Sequence, residues 1–190
     1  MRRYTYYLSL GSNIHPAQHL STALHQLQAK FGHIMVWPVV RTAPVDILTQ
    51  HEFYNTLVVI HTEWPPEQLK AWTNELEITC GRDRSDPMSS KKDRPLDVDV
   101  LAQQSQFDLA ILAQFKEPYI QAVIRAGNQP NNIAGCQQIE FHGRQLGHCT
   151  AAINTHHTSG HIMVIEDSID SLFQRFKAPF HRQQGLSEHF

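Results

Sequence analysis

The sequence is short of several features, and each shortage closes off a class of protein. It has only three cysteines, Cys80, Cys136 and Cys149, odd in number and widely spaced. That argues against a disulfide framework and for a reducing cytoplasm. Neither sign of charge dominates: the formal net charge is −2 with neutral histidines, so nothing in the overall balance points to nucleic acid or an anionic membrane. No apolar run is long enough to span a bilayer. The opening MRRYTYYLSLGSN places two arginines before apolar residues, but Ser9, Gly11, Ser12 and Asn13 interrupt the apolar part. It therefore reads as a first strand rather than a signal peptide. There is no G-x-x-x-x-G-K-[ST] stretch, which removes the P-loop enzymes, and there is no internal repeat or low-complexity segment.

What is present reads as one domain with an appendage: residues 1–148, then an extension over 149–190. TYYLSLGSN alternates, with Tyr6, Leu8 and Leu10 on one face, and stops at Gly11. Leu20, Leu24, Leu27 and Phe31 then fall on one helical stripe that starts near Pro16 and ends at Gly32. HIMVWPVVRTAPV is β-rich but broken by Pro38 and Pro44, as an edge strand running into a loop would be. FYNTLVVIHTE is a further strand. Leu69, Trp72, Leu76 and Cys80 define a second helix closing at Gly81. GRDRSDPMSSKKDR is a long polar loop, and RPLDVDVLA is the fourth strand. The resulting order, β-α-β-β-α-β, is the ferredoxin-like α+β pattern: two helices cover one face of an antiparallel sheet and leave the other open. Beyond Leu101 the periodicity weakens. ILAQFKEPYIQAVIRAG is helical in part with a break at Pro118. QQIEFHGRQLGHCTAAI suits either a hairpin turning near Gly143 or a strand leading into a helix. HIMVIEDSIDSLFQRF reads as a strand and then a helix capped by Asp167 or Ser168.

The last strand of that unit carries an anomaly. Leu96, Val98 and Val100 form an apolar face toward the helices, so Asp97 and Asp99 share the opposite one. Their Cα atoms would lie about 6.5–7 Å apart, and their oxygens could converge on two hard cations roughly 3.5–4 Å apart. Magnesium suits such a site because it takes few carboxylates and shares the rest of its shell with water and phosphate. Alone, the pair is equally readable as two carboxylates on a solvated sheet face. Arg82, Arg84, Lys91, Lys92 and Arg94 lie directly upstream, and a cationic loop beside a metal pair is what a polyphosphate needs.

Taken together, several segments resemble the 6-hydroxymethyl-7,8-dihydropterin pyrophosphokinase family of folate biosynthesis. They are LGSN (Leu10–Asn13), RTAPV (Arg41–Val45), FYN (Phe53–Asn55), E-x3-GRDR (Glu77–Arg84) and RPLDVD (Arg94–Asp99), in the family's order. The resemblance implies transfer of a diphosphoryl group from ATP to the pterin's hydroxymethyl oxygen, leaving AMP. It implies two magnesium ions held by Asp97 and Asp99, with Arg82 and Arg94 acting on the reacting phosphates. Arg82, Arg84, Lys91, Lys92, Arg94, Tyr119 and Arg125 would form the ATP side. Thr42, Pro44, Val45, Phe53 and Asn55 would form the pterin side, Phe53 by stacking and Asn55 by hydrogen bonding. Glu77 would either pair with a loop arginine or be a helix-surface charge. Such an enzyme would be a cytoplasmic monomer acting on small molecules, without nucleic-acid or membrane partners.

The chain also departs from the family's pattern. Tyr119 follows Pro118 where histidine is expected, Gly127 stands in the place of a pterin-stacking aromatic, Met88 lies where tryptophan is common, and residues 149–190 exceed the pattern. These departures motivate an alternative, a catalytically impaired relative that binds a pterin or nucleotide without turnover. An RNA-binding module shares the element order, but Asp97 and Asp99 on its open face would repel phosphate. His156, His157 and His161, near Cys149, match no metal-ligand spacing, and HHTSGH reads as an exposed turn.

Overall fold

The computed structural model describes residues 3–177 apart from 46, 48 and 157. Strand β1 (Tyr4–Ser12) is almost wholly buried. The leucine stripe forms α1 (Pro16–Phe31), where Pro16 fits the first turn because its missing N–H would have no partner there anyway. Gly32 ends the helix at a φ of 73°, its N–H donating to Gln28 O at 2.8 Å. Pro38 divides the next β-rich segment into β2 (His33–Val36) and β3 (Val40–Thr42), and both pair with β4 (Phe53–Thr62). Then come α2 (Pro66–Thr79) and β5 (Asp97–Gln104). The polar loop between them contains a short 3-10 turn at Ser89–Lys91.

The sheet is antiparallel throughout these pairings. Its order begins β5-β1-β4-β2, which is the ferredoxin-like arrangement, and continues into β8 (Ala151–Thr155) and β9 (Ile162–Glu166). The β2 segment is therefore interior rather than an edge. Residues 151–154 pair with it, from His33↔Asn154 to Val36↔Ala151, and the proline interrupts pairing only after Val36. Between them, β6 (Ile139–Phe141) and β7 (Arg144–Leu146) form the hairpin alternative, turning at His142 and Gly143. Ser21 Oγ of α1 clasps it by donating to Glu140 O at 2.6 Å. The HHTSGH stretch joins β8 to β9, with His156 N donating to His161 O at 2.8 Å and both histidines exposed. His157 lies outside the described residues.

Helices α1 and α2 pack on one face over Leu8, Leu10, Val58 and Val98. Val100, expected on that face, is 37% exposed, because β5 is the sheet's edge strand and its register shifts beside Leu8. The opposite face is open only at one end. Elsewhere Tyr7, Trp37, Leu57 and Val59 form a second apolar cluster. It is covered by a 3-10 segment at Leu109–Gln114, by α3 (Pro118–Asn128) and by α4 (Ile169–Lys177). Pro118 thus starts a helix rather than breaking one. Ser168 caps α4, accepting from Ser171 N at 3.3 Å, while Asp167 accepts from the Ser171 hydroxyl at 2.6 Å. Among the described residues no helix is long and apolar enough to cross a membrane.

Gly127 has a packing role here. A Cβ at that position would lie 2.6 Å from Trp37 Cδ1 and 2.9 Å from Ile169 Cδ1. Trp37 is fully buried, so α3 approaches it closely only through glycine. Gly127→Phe is expected to cost about 1–3 kcal/mol of stability or more by overpacking. Urea denaturation checks this, and wild-type stability would contradict it.

Far from the open end, His33 and His61 sit on neighbouring strands β2 and β4, and His61 Nδ1 lies 2.9 Å from Thr5 Oγ1. Burial lowers both imidazole pKa values from 6.5 to about 4, with His61 adding to the effect on His33 and Arg3 to that on His61. The unfolded chain therefore binds these protons first. Their contribution to stability is whole above pH 6.5 and is lost as the pH falls toward about 4. Exchanging both for asparagine should flatten that part of the stability–pH curve, measured by urea unfolding across the window. An unchanged slope would contradict the assignment.

Candidate active site

At the open end of the sheet, β1 lies between β4 and β5. Gly11 pairs with Asn55 on β4 and with Asp97 on β5, and Ser9 pairs with Asp99. A Cβ at position 11 would lie 2.7 Å from Asn55 Oδ1, so any larger residue there would displace the Asn55 amide. Asn55 is buried, and its Nδ2 donates to Thr42 Oγ1 at 2.7 Å, which turns the amide oxygen across Gly11.

A cleft of about 400 Å³ stands over this row. Ser9, Gly11 and Asn55 contribute from the sheet. Thr42, Ala43, Val45, Ile47 and Phe53 form an apolar side, and Arg94, Asp97 and Asp99 form a charged one. Glu117, Pro118 and Tyr119, where α3 begins, complete the lining. The sequence-predicted pterin-side and aspartate residues thus share one cavity, with Pro44 lying between two of its lining residues.

The charged side is organised by Glu77, whose side chain has no solvent exposure. Its Oε1 accepts from Val98 N at 2.7 Å, and its Oε2 accepts from Arg84 Nε at 2.8 Å, with Arg84 Nη2 on the same oxygen. Arg82 Nη1 lies 3.1 Å from Oε2 and also donates to Asp97, whose other oxygen takes Arg94 Nη1. Of the two sequence-level readings of Glu77, pairing with loop arginines is therefore the observed one. Burial alone would lower the Arg82 pKa, but Asp97 and Glu77 outweigh it and hold it raised. Asp99 reaches solvent, yet enclosure by the cleft and then the Asp97 charge push its carboxyl above the usual range, against Lys70 and Arg94. Asp97 is largely covered by arginines, whereas at Asp99 burial and the neighbouring carboxylates outweigh the pull of Lys70 and Arg94.

The remaining predicted residues are more scattered. Tyr119 lines the cleft, and burial, then Asp99 and Glu117, raise its phenol pKa. Arg84 is committed to Glu77, Lys92 pairs with Asp86, and Lys91 is exposed in the 3-10 turn. Arg125 is exposed on α3 outside the cleft lining. Sequence reasoning missed Ser9, Ile47 and Glu117, which only the fold brings to the cleft. It also missed a knot around Asp93. Asn13 Nδ2 and His51 Nδ1 lie 2.8 and 2.7 Å from its two carboxylate oxygens, tying the end of β1 and the loop before β4 to the basic loop. The Asn at the end of the LGSN segment was the available signal.

Glu77→Gln takes the carboxylate from the largely covered Arg82, which keeps Asp97, and from the more exposed Arg84, and is expected to destabilise the fold by about 1.5–3 kcal/mol. Urea unfolding measures this, and a change below about 0.5 kcal/mol, the level of an ordinary surface substitution, would contradict the hub role.

Comparison with known proteins agrees with this arrangement. The model of the 7,8-dihydro-6-hydroxymethylpterin-pyrophosphokinase family matches residues 7–142. Two relatives, from two strains of Porphyromonas gingivalis and each named 2-amino-4-hydroxy-6-hydroxymethyldihydropteridine pyrophosphokinase, are 33% identical over 97 residues. Each match covers 50% of this chain and 66% of the relative, just under two thirds of the relative's length. The family match runs from β1 through the hairpin turn at His142 and so takes in every element that lines the cleft, and on it the chain belongs to the 7,8-dihydro-6-hydroxymethylpterin-pyrophosphokinase family.

Proposed function

We propose that this chain transfers a diphosphoryl group from ATP to the hydroxymethyl oxygen of 6-hydroxymethyl-7,8-dihydropterin, releasing AMP, as a cytoplasmic monomer in folate biosynthesis. The carrying observation is the placement of Asp97 and Asp99 beside Phe53 and Asn55 in one cleft.

The donor set fits magnesium. It offers carboxylate oxygens, one of them destabilised by its neighbour. Among the described residues no cluster of three or more His, Cys, Asp or Glu forms a closed metal cage. Such a set suits a cation that completes its shell with phosphate and water. Asp97 and Asp99 would hold two magnesium ions, which when bound supply charge compensation across the triphosphate. Arg82 and Arg94, now on Asp97, would move to phosphate oxygens, and bidentate guanidinium geometry suits both partners. Arg84, Lys91, Lys92, Tyr119 and Arg125 would complete the nucleotide side.

Phe53 would stack on the pterin, Asn55 would meet its hydrogen-bonding edge, and the backbone of Thr42, Pro44 and Val45 would border it. The hydroxymethyl oxygen attacks the β-phosphorus while the bond to the α-phosphate oxygen breaks and AMP leaves. Gly127, packed under Trp37, cannot supply the family's second stacking ring. That favours one other reading, ligand binding without turnover.

A coupled assay for AMP with ATP, magnesium and the hydroxymethyl-dihydropterin tests the proposal. Asp97→Ala and Asp99→Ala should each lower AMP formation by about a thousandfold or more, several kcal/mol of charge stabilisation being at stake. Chelation of magnesium should abolish it. Unchanged turnover in the variants would exclude these roles, and binding of both ligands without AMP would favour the second reading.

A further inference from the structure

Ser9 stands on the floor of the cleft, and none of the roles assigned above uses it. Its backbone is paired on both sides, with Leu57 on β4 and with Asp99 on β5. Only 4% of the residue is open, so that opening belongs to the side chain and faces the cleft it lines. The Oγ makes no hydrogen bond among the described residues, and it is not sealed off from solvent. Residues directly opposite each other on antiparallel strands share a face, with Cβ atoms about 4.5–5.5 Å apart. The Ser9 hydroxyl and the Asp99 carboxylate are therefore neighbours. Asp99 likewise accepts no hydrogen bond among the described residues, whereas Asp97 holds two arginines. Two polar groups thus flank one space, bonded neither to each other nor to another described residue.

The surroundings decide what this hydroxyl meets. Toward the pterin side its neighbour is Leu57, apolar and fully buried. Asn55, and Asp97 with its arginines, lie opposite Gly11, two residues further along β1. Behind Ser9 on the same face, Tyr7 commits its hydroxyl to Asp108, donating to the carbonyl at 2.9 Å and accepting from the N–H at 2.8 Å. Of the two residues directly opposite Ser9, only Asp99 is polar. A carboxylate short of donors suits a divalent cation, and magnesium keeps several waters where it takes few carboxylates. A serine hydroxyl offers lone pairs to such a water and a proton to the carboxylate. We propose that Ser9 is a positioning residue for the cation at Asp99, its hydroxyl accepting a hydrogen bond from a water of the cation's shell, an inference that rests on the proposed magnesium reading. Groups that touch a ligating carboxylate or its water, rather than the ion, orient the ligands and strengthen binding.

Manganese takes the same oxygen ligands as magnesium, and paramagnetic resonance of the free ion measures its binding. The full chain is titrated with manganese in the presence of a saturating non-hydrolysable ATP analogue. Ser9→Ala removes only the hydroxyl and should weaken manganese binding about tenfold or more. Ser9→Thr keeps the hydroxyl and should stay within about threefold of the wild type. Affinity for the hydroxymethyl-dihydropterin, measured by calorimetry without a divalent ion, should change less than about twofold. The melting temperature of ligand-free Ser9→Ala should match the wild type, because no bond within the protein is lost. A purely structural residue would do the reverse, lowering the melting temperature and leaving manganese binding alone. Unchanged manganese affinity in Ser9→Ala, or a loss of the same size in pterin binding without the ion, overturns the inference. Should the wild-type chain form AMP while Ser9→Ala holds manganese normally, this inference fails and the proposed activity stands. A wild-type chain that neither binds manganese with the analogue nor forms AMP removes both.

Discussion

The buried carboxylate of Glu77 is the constraint on which the rest of the site depends. A carboxylate removed from water needs several donors to remain in place, and Glu77 has them from a strand and a loop: Val98 N, Arg84 and Arg82. The bond to Val98 has a second effect. β5 is an edge strand, and its outward N–H would otherwise be available to another chain. By accepting it, Glu77 occupies that donor and anchors α2 to the strand that carries both aspartates.

The electrostatic asymmetry of the cleft follows from that anchor. Arg82 is held between Glu77 and Asp97, and Arg94 takes the other Asp97 oxygen. Asp97 is thereby neutralised by groups that could also serve phosphate, while Asp99, one pleat further on, is not. On the proposed reading, the ligand-free cleft keeps its arginines on a carboxylate, and the triphosphate with its cations exchanges them. The knot at Asp93, which joins β1 through Asn13 to the basic loop, would keep that loop near its aspartates throughout.

Local signals carried much of the fold. The leucine stripe of α1, Gly32 at its end, and the alternation in β1 all concern residues close in sequence, and each element formed where its pattern lies. The misses have a common cause in long-range contacts. β2 looked like an edge because Pro38 and Pro44 interrupt its segment, and the second neighbour that makes it interior, β8, lies more than a hundred residues downstream. The second face looked free because the segments that cover it show weak periodicity. Gly127 reads in sequence only as a missing aromatic, and its necessity depends on Trp37 and Ile169. Glu117 carries no motif at all. Within the site, Asp97, Asp99, Asn55 and Phe53 were legible because their motifs are local, whereas Glu77 stayed ambiguous until its arginines were placed.

The most direct test of the exchange is the magnesium dependence of nucleotide binding by the wild-type chain. A non-hydrolysable ATP analogue is titrated with and without the cation at fixed ionic strength. If Asp97 surrenders Arg82 and Arg94 to phosphate only when a divalent ion replaces them, affinity should rise at least about tenfold with magnesium. Equal affinity in both titrations would contradict the account.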